Sequence, residues 1–273
     1  MPFSNNEIAE YAAFAERLAV AARAQTLPRF RTGINVADKA SDVPEEVFDP
    51  VTDADREAER AVRQMIEQTY PAHGVLGEEF PELKRDGPWR WVLDPVDGTR
   101  AFMCGTTSWT TLIALEYDGA PVIGLIDQPF TNERWLSFNG ETNYSRDGKI
   151  TRAKTSGLTT LAKARISTTD PLPTAYFSDA EAAAFARVHQ AARVARYSLD
   201  AYAYGLLAIG EIDLVIEAGL KRFDYAALGP VVEAAGGVVT NWRGEPPGSD
   251  DRGELIAAAT PQLHQTAIKL LAN

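Results

Sequence analysis

Residues 91–105 read Trp91-Val92-Leu93-Asp94-Pro95-Val96-Asp97-Gly98-Thr99-Arg100-Ala101-Phe102-Met103-Cys104-Gly105. The stretch begins as a short apolar strand over residues 91–93. It then presents two carboxylates, Asp94 and Asp97, around a proline that cannot continue a strand ladder. Gly98 and Thr99 follow at once and open a predicted short helix. Carboxylates at the end of a buried strand suit a hard cation, and free backbone amides at a helix start suit a phosphate. An ordinary Asp-Gly turn after a strand would read the same way, so the rest of the chain has to decide.

With 273 residues, the chain is long enough for one large or two modest domains around a substantial core. Hydrophobic residues make up 45% and charged residues 24%, the composition of a folded globular protein. A net charge of -11 argues against a nucleic-acid partner, whose phosphates need clustered Lys and Arg. Cys104 is the only cysteine, so no intrachain disulfide can form. The N-terminal residues show no basic segment followed by an apolar run, and no later stretch reaches the roughly 18 apolar residues of a membrane span. No membrane association is expected, and the cytoplasm is the expected location.

Ser4 and Glu7 have capping-box spacing, and Ile8, Tyr11, Ala12, Ala15, Leu18, Ala19 and Ala22 recur at helical intervals, predicting an amphipathic helix that ends near Pro28. Residues 33–50 read as an irregular connection or flap. A second helix is predicted over 56–70, with Asp53 assigned to capping and Asp55 to the shell of a metal. A strand over 74–79 ends on Glu78 and Glu79; their side chains point to opposite faces, so only one can share a site with Asp94 and Asp97. Strands over 109–117, 121–126 and 133–138 are joined by Asp118-Gly119 and Asn139-Gly140 turns, and a further turn follows at Arg146-Asp147-Gly148.

Beyond residue 155 the pattern alternates: strands over 164–168, 193–198, 213–217, 237–240 and 255–259, and helices over 178–191, 201–209, 225–235 and 261–271. Pro230 predicts a kink or break in the third of these helices. Two halves are therefore expected, an α+β half over 1–155 that carries the acidic motifs and an α/β half over 156–273 that closes the site.

Gly77-Glu78-Glu79, the run from Trp91 to Thr99, Phe223-Asp224-Tyr225-Ala226-Ala227 and Glu233-Ala234-Ala235-Gly236-Gly237 resemble, in order, the signatures of the inositol monophosphatase family. The resemblance implies a layered αβαβα sandwich and a Mg²⁺-dependent phosphomonoesterase, with two or three ions, Mn²⁺ as a possible substitute, and a homodimer. It assigns Glu78, Asp94 and the carbonyl of Val96 to one ion, and Asp94, Asp97 and Asp224 to a second. Glu78 and Asp55 would shape a third position or its waters. Thr99 with Glu78 would orient the attacking water, and the amides of Gly98 and Thr99 would cradle the phosphate.

The residue chemistry agrees with that assignment. Mg²⁺ prefers hard oxygen ligands, and two such ions can serve both the attacking and the leaving oxygen of an in-line displacement. A cysteine phosphatase of C-x5-R type would need Arg where Thr110 stands. His73, His189 and His264 are scattered, read as surface or helix histidines, and offer no zinc site. Asp53-Ala54-Asp55 resembles the start of an aspartyl-phosphate motif but lacks a preceding apolar strand.

Within the family, the segments Asp97 to Phe102, Ile126-Asp127-Gln128-Pro129 and Asp200 to Lys221 are most similar to the histidinol-phosphate phosphatase branch, and Arg100 stands where an inositol phosphatase usually has an uncharged residue. The implied substrate, a small phosphorylated metabolite bearing an ammonium and an imidazole, would suit spare carboxylates, for which Asp200 and Glu217 are the candidates. A helix N-cap for Asp200 and a solvated strand end for Glu217 are their structural alternatives. The branch usually has two glycines where this chain has Ser198-Leu199. Inositol 1-phosphate or another sugar or nucleotide phosphate is the alternative substrate, and a non-catalytic regulator that binds a phosphometabolite is the alternative class.

Overall fold

The computed structural model describes residues 3–33, 36–38, 50–173, 176–248 and 252–272. Helix α1 (Asn5–Thr26) is capped by Ser4, whose hydroxyl accepts the Glu7 amide at 3.2 Å. It buries Phe14, Ala15 and Leu18 and ends where a 3-10 turn over Leu27–Arg29 takes in Pro28. The connection expected over 33–50 lies mostly outside the described residues; of the rest, strand β1 (Val36–Asp38) pairs antiparallel with β2 (Pro50–Thr52).

Helix α2 (Asp53–Thr69) begins three residues before the predicted start at 56, because Thr52 and Asp55 form a reciprocal capping box. The cap is therefore Thr52 and not Asp53, which is exposed in the first turn. A seven-stranded sheet follows, in sequence order: β3 (Gly74–Gly77), β4 (Trp89–Asp97), β5 (Thr110–Tyr117), β6 (Ala120–Gln128), β7 (Glu133–Phe138), β8 (Glu141–Arg146) and β9 (Lys149–Arg152). Helix α3 (Thr99–Cys104) interrupts it after β4.

The second sheet has the order β11-β10-β12-β14-β13, built from β10 (Arg165–Thr168), β11 (Val194–Tyr197), β12 (Leu214–Glu217), β13 (Val238–Thr240) and β14 (Leu255–Ala258). Its helices are α4 (Asp179–Ala191), α5 (Tyr202–Ala208), α6 (Arg222–Tyr225), α7 (Leu228–Ala234) and α8 (Pro261–Leu271). The single helix expected over 225–235 is two, and the break falls at Ala226-Ala227 rather than at Pro230. Pro230 sits in the first turn of α7, where an amide has no intrahelical partner to lose.

Three apolar clusters define five layers. Phe14, Leu18 and Ile66 of α1 and α2 pack on Trp91, Leu93, Ile113 and Leu125 of the large sheet. Val92, Leu112 and Trp135, on its other face, meet Tyr204 and Leu207 of α5, Val231 of α7 and Val215 of the small sheet. Phe185 and Leu263 of α4 and α8 cover the far face of that sheet through Leu214, Ile216 and Ile256. The architecture is an αβαβα sandwich. Among the described residues, no helix is long and apolar enough to cross a membrane.

Candidate active site

Strand alternation decides which carboxylates meet. In β4, Trp91 and Leu93 face α1 and α2, whereas Val92 faces the central layer. Asp94 shares the parity of Val92 and points inward with it. Asp97, three residues on, would face the opposite side of a regular strand. The pairing instead shifts register between Asp94↔Leu112 and Asp97↔Thr110, so β4 carries one more residue than β5 there. This bulge resets the alternation and brings both aspartates to one cavity. Pro95, which has no N–H to give to a ladder, lies within it, and the Val96 amide donates to Asp94 Oδ1 at 3.1 Å. The strand thus runs past the proline to Asp97, not only over 91–93.

Gly98 has φ +80 and turns the chain from β4 into α3; a Cβ there would stand 2.9 Å from the Asp200 side chain. Across the central layer, β12 repeats the alternation: Val215 and Glu217 face inward while Leu214 and Ile216 face α4 and α8. The two sheets therefore aim acidic strand ends at each other.

The result is a cavity of about 260 Å³ lined by Glu78, Asp94, Val96, Asp97, Gly98, Thr99, Arg100, Asp200, Glu217 and Asp224. Asp55 is the one candidate that does not line it. It is buried behind the wall, with Oδ2 accepting the Thr52 amide at 3.0 Å and its hydroxyl, and Oδ1 lying 3.2 Å from the Thr99 hydroxyl. That hydroxyl is also 3.1 Å from the Val96 carbonyl. Glu78 follows β3 directly; a Cβ at Gly77 would collide with the Glu59 carboxylate, which accepts the Glu79 amide at 2.8 Å and fixes the turn.

Burial and mutual repulsion push these acids toward their protonated forms. Asp94 is held well above the usual carboxylate range, first by burial and then by the charges of Glu78, Asp97, Asp224 and Asp55. Enclosure raises Asp97 likewise; the Asp200 charge adds, and the Ala201 amide, donating to Asp97 Oδ2 at 2.7 Å, opposes. Burial takes Asp55 up to about 6 against the Thr52 hydrogen bonds. Asp224 Oδ2 accepts the Lys221 amide at 2.6 Å.

So many enclosed carboxylates require countercharge, and an all-oxygen donor set selects a hard cation such as Mg²⁺ over softer ions. Among the described residues, however, no group of three His, Cys, Asp or Glu side chains is already arranged to hold a metal ion. The two observations are compatible, because like charges sharing a pocket repel one another and rotate apart until a cation draws them together.

Asp200 does not cap α5: Ala201 occupies that position without a side-chain cap, and Asp200 has φ 49. Its Oδ2 instead lies 3.2 Å from the Ser108 hydroxyl, and burial lifts it to about 6 against that bond and the Arg100 charge. Ser198 takes φ 57, the left-handed conformation for which the branch's glycines would be suited. Glu217 is not a solvated strand end either. It is 4% exposed and accepts from the Thr169 amide at 2.8 Å and the Thr169 and Thr168 hydroxyls.

His73 and His264 are buried rather than superficial: His73 accepts the Trp91 indole N–H at 3.2 Å, and His264 pairs with the Thr240 hydroxyl. Neither lines the cavity, and His189 is exposed on α4. Tyr176, Tyr204 and Lys221 are among the further lining residues to which the sequence reading assigned no role in the site. Lys221 adjoins the Asp224 motif, which was a usable signal. Tyr204 looks like any core residue of α5, although its buried hydroxyl has no hydrogen-bond partner. Tyr176 lies in a loop without pattern.

The inositol monophosphatase family matches over residues 7–273. The chain is 37% identical over 98% of its length, and 77% of the relative's, to the bifunctional phosphatase IMPL2 of Arabidopsis thaliana, a chloroplastic protein. It is 34% identical to the histidinol-phosphatase of Mycobacterium tuberculosis, with 83% of this chain and 86% of that one covered. Among solved structures, an inositol monophosphatase from Zymomonas mobilis superposes with a TM-score of 0.83 at 38% identity, covering 97% of this chain and 98% of that one. A site of clustered carboxylates at the meeting of two sheets, on a chain that matches from end to end, is accounted for in one way: the protein belongs to the inositol monophosphatase family.

Proposed function

We propose that this phosphoric monoester hydrolase cleaves L-histidinol phosphate to L-histidinol and inorganic phosphate, a step of histidine biosynthesis. The observation that carries the substrate is the pair Asp200 and Glu217, two carboxylates in the cavity beyond the acidic cluster assigned to metal. An ester whose alcohol bears an ammonium and an imidazole complements them, whereas inositol brings only hydroxyls. The 34% identical histidinol-phosphatase supports the same choice.

In this reading Glu78, Asp94, the Val96 carbonyl, Asp97 and Asp224 hold two Mg²⁺ ions, Asp55 and Glu78 shape a third position, and Mn²⁺ can substitute. When bound, Mg²⁺ supplies the Lewis acidity that activates water and neutralises phosphoryl charge. The Thr99 hydroxyl, with Asp55 Oδ1 at 3.2 Å to accept its proton, keeps its lone pairs for an incoming water that Glu78 orients from the other side. The Gly98 and Thr99 amides and Arg100 face the phosphate. Water oxygen bonds to phosphorus, the ester P–O bond breaks, and the proton that the water gives up ends on the departing alkoxide oxygen, leaving alcohol and inorganic phosphate. A cytoplasmic homodimer completes the reading.

The test is Mg²⁺-dependent phosphate release from histidinol phosphate, inositol 1-phosphate, fructose 1,6-bisphosphate and adenosine 3',5'-bisphosphate. A kcat/KM for histidinol phosphate at least tenfold above the others is expected. Preference for inositol 1-phosphate would favour the second reading, which the 38% identical Zymomonas mobilis inositol monophosphatase supports. No turnover by folded protein would leave a phosphometabolite-binding regulator.

A further inference from the structure

Tyr176 lies between β10 and α4, in a loop that no motif marks, yet its ring lines the active-site cavity. The Arg100 guanidinium lies over that ring at 5.1 Å from the centroid. The loop is held from outside the cavity: Arg252 donates to the Tyr176 carbonyl at 3.4 Å and is itself anchored on the Glu181 carboxylate at 2.7 Å. Gly219, with φ +79, donates its amide to the Arg252 carbonyl at 2.7 Å, and a Cβ there would meet the Tyr176 carbonyl oxygen at an ordinary contact distance of 3.5 Å. Arg252, bonded both to the Tyr176 carbonyl and to the Gly219 amide, thus keeps one aromatic ring at the wall where Asp200 and Glu217 also stand.

Charges along this wall balance in a specific way. Arg100 acts on Asp200, whose proton affinity its charge lowers, so this cation and this anion answer each other. Glu217, fixed by Thr168 and Thr169, has hydroxyl and amide partners but no cationic one among its hydrogen bonds. A substrate cation would complete it. The same recess offers an aromatic surface that already accepts a flat, delocalised cation in the form of guanidinium.

We propose that Tyr176 is a specificity-determining residue for the alcohol half of the ester: its ring and Glu217 together select an alcohol bearing a flat heteroaromatic ring and an ammonium over one bearing hydroxyls alone. The inference rests on the histidinol-phosphate reading above. It adds a residue with no assigned role toward phosphate or metal, one that acts on substrate affinity rather than on bond cleavage.

Two measurements test it. Isothermal titration of the wild-type protein with Mg²⁺ and inorganic phosphate present should show L-histidinol binding at least tenfold more tightly than L-leucinol, which keeps the amino alcohol and lacks the ring. Equal affinities overturn the proposal and need no variant. In kinetics, Tyr176→Ala should raise KM for histidinol phosphate tenfold or more with kcat within about threefold, while Tyr176→Phe, which keeps the ring, should stay within about threefold in both. A fall confined to kcat, or equal loss in the Ala and Phe variants, also overturns it. If wild type does not hydrolyse histidinol phosphate at all, the functional reading has failed, and the titration still judges ring recognition on its own.

Discussion

Glu217→Gln is expected to stabilise the protein at pH 8 and to leave it unchanged near pH 4.5. The wild-type side chain is 4% exposed, so solvent screens it little. Burial is the main cause that lifts it from 4.5 to about 8; the Asp200 charge adds, and the hydrogen bonds from Thr169 and Thr168 oppose. Because the folded pKa lies above the unfolded one, the side chain's contribution is full below pH 4.5 and is lost as pH rises through 8. At about 1.4 kcal/mol for each pH unit, the loss amounts to at most about 5 kcal/mol. For a chain of this size that is on the order of 10 °C in Tm, at roughly 2 °C per kcal/mol. Gln imitates the protonated acid in shape and stays neutral, so it removes this one dependence and keeps those of Asp55, Asp94, Asp97 and Asp200. The assay is a set of thermal melts between about pH 4.5 and pH 9, wild type against variant, in EDTA so that no cation holds the neighbouring carboxylates. The two Tm curves should meet near pH 4.5, diverge steadily as pH rises from there and run parallel above about pH 8, with the variant higher. Curves parallel over the whole range would refute the reasoning, since they would mean that Glu217 is ionised in the folded protein throughout.

Asp94→Asn should abolish Mg²⁺-dependent turnover while Tm holds or rises, because a ligand charge leaves a pocket of like charges; retained turnover would sink the two-ion assignment. Gly98→Ala forces a Cβ into a left-handed residue, about 1–2 kcal/mol of strain, and sets it 2.9 Å from the Asp200 side chain. A Tm lower by several degrees and at least a tenfold drop in kcat/KM are expected, and a variant that melts and turns over like wild type would show that the turn is not tightly held. Trp91 of β4 is fully buried between the large sheet and α1 and hydrogen-bonded to His73. Trp91→Ala should cost about 3–5 kcal/mol in urea unfolding, and a loss below about 1 kcal/mol would mean that the layer repacks freely.

The parts of this fold legible in the sequence were those governed by local chemistry. Asp118-Gly119 and Asn139-Gly140 announce hairpin turns because the residues with positive φ are the ones that tolerate it, and the continuous apolar runs of β4 and β5 follow from burial on both faces. Errors came where a neighbour outside the local window decided the outcome. Thr52 capped α2 because Asp55 reached back to its amide, so the acidic residue nearest the helix start was the wrong choice. The alternative of a helix cap for Asp200, suggested because it precedes a helix, fails because Ser108, distant in sequence, holds its carboxylate instead. Tyr176 left no trace at all, since a loop ring owes its place to Arg252 and Gly219, which are remote in the chain.

The strand that carries Asp94 and Asp97 shows where recognition of a motif and derivation of its geometry part company. Their spacing of three places them on opposite faces of any regular strand, so simple alternation argues against a shared site. What reverses the argument is the register shift opposite Leu112 and Thr110, and Pro95 is the residue that makes the shift inexpensive, since it has no ladder hydrogen bond to surrender. The proline first read as the end of the strand is better understood as the hinge that lets the strand continue and turn its second aspartate inward. An Asp-Pro-Val-Asp run is therefore a geometric instruction as well as a signature. Replacing Pro95 by a residue with an N–H would leave both carboxylates in place chemically while removing the reason for the bulge that brings them together.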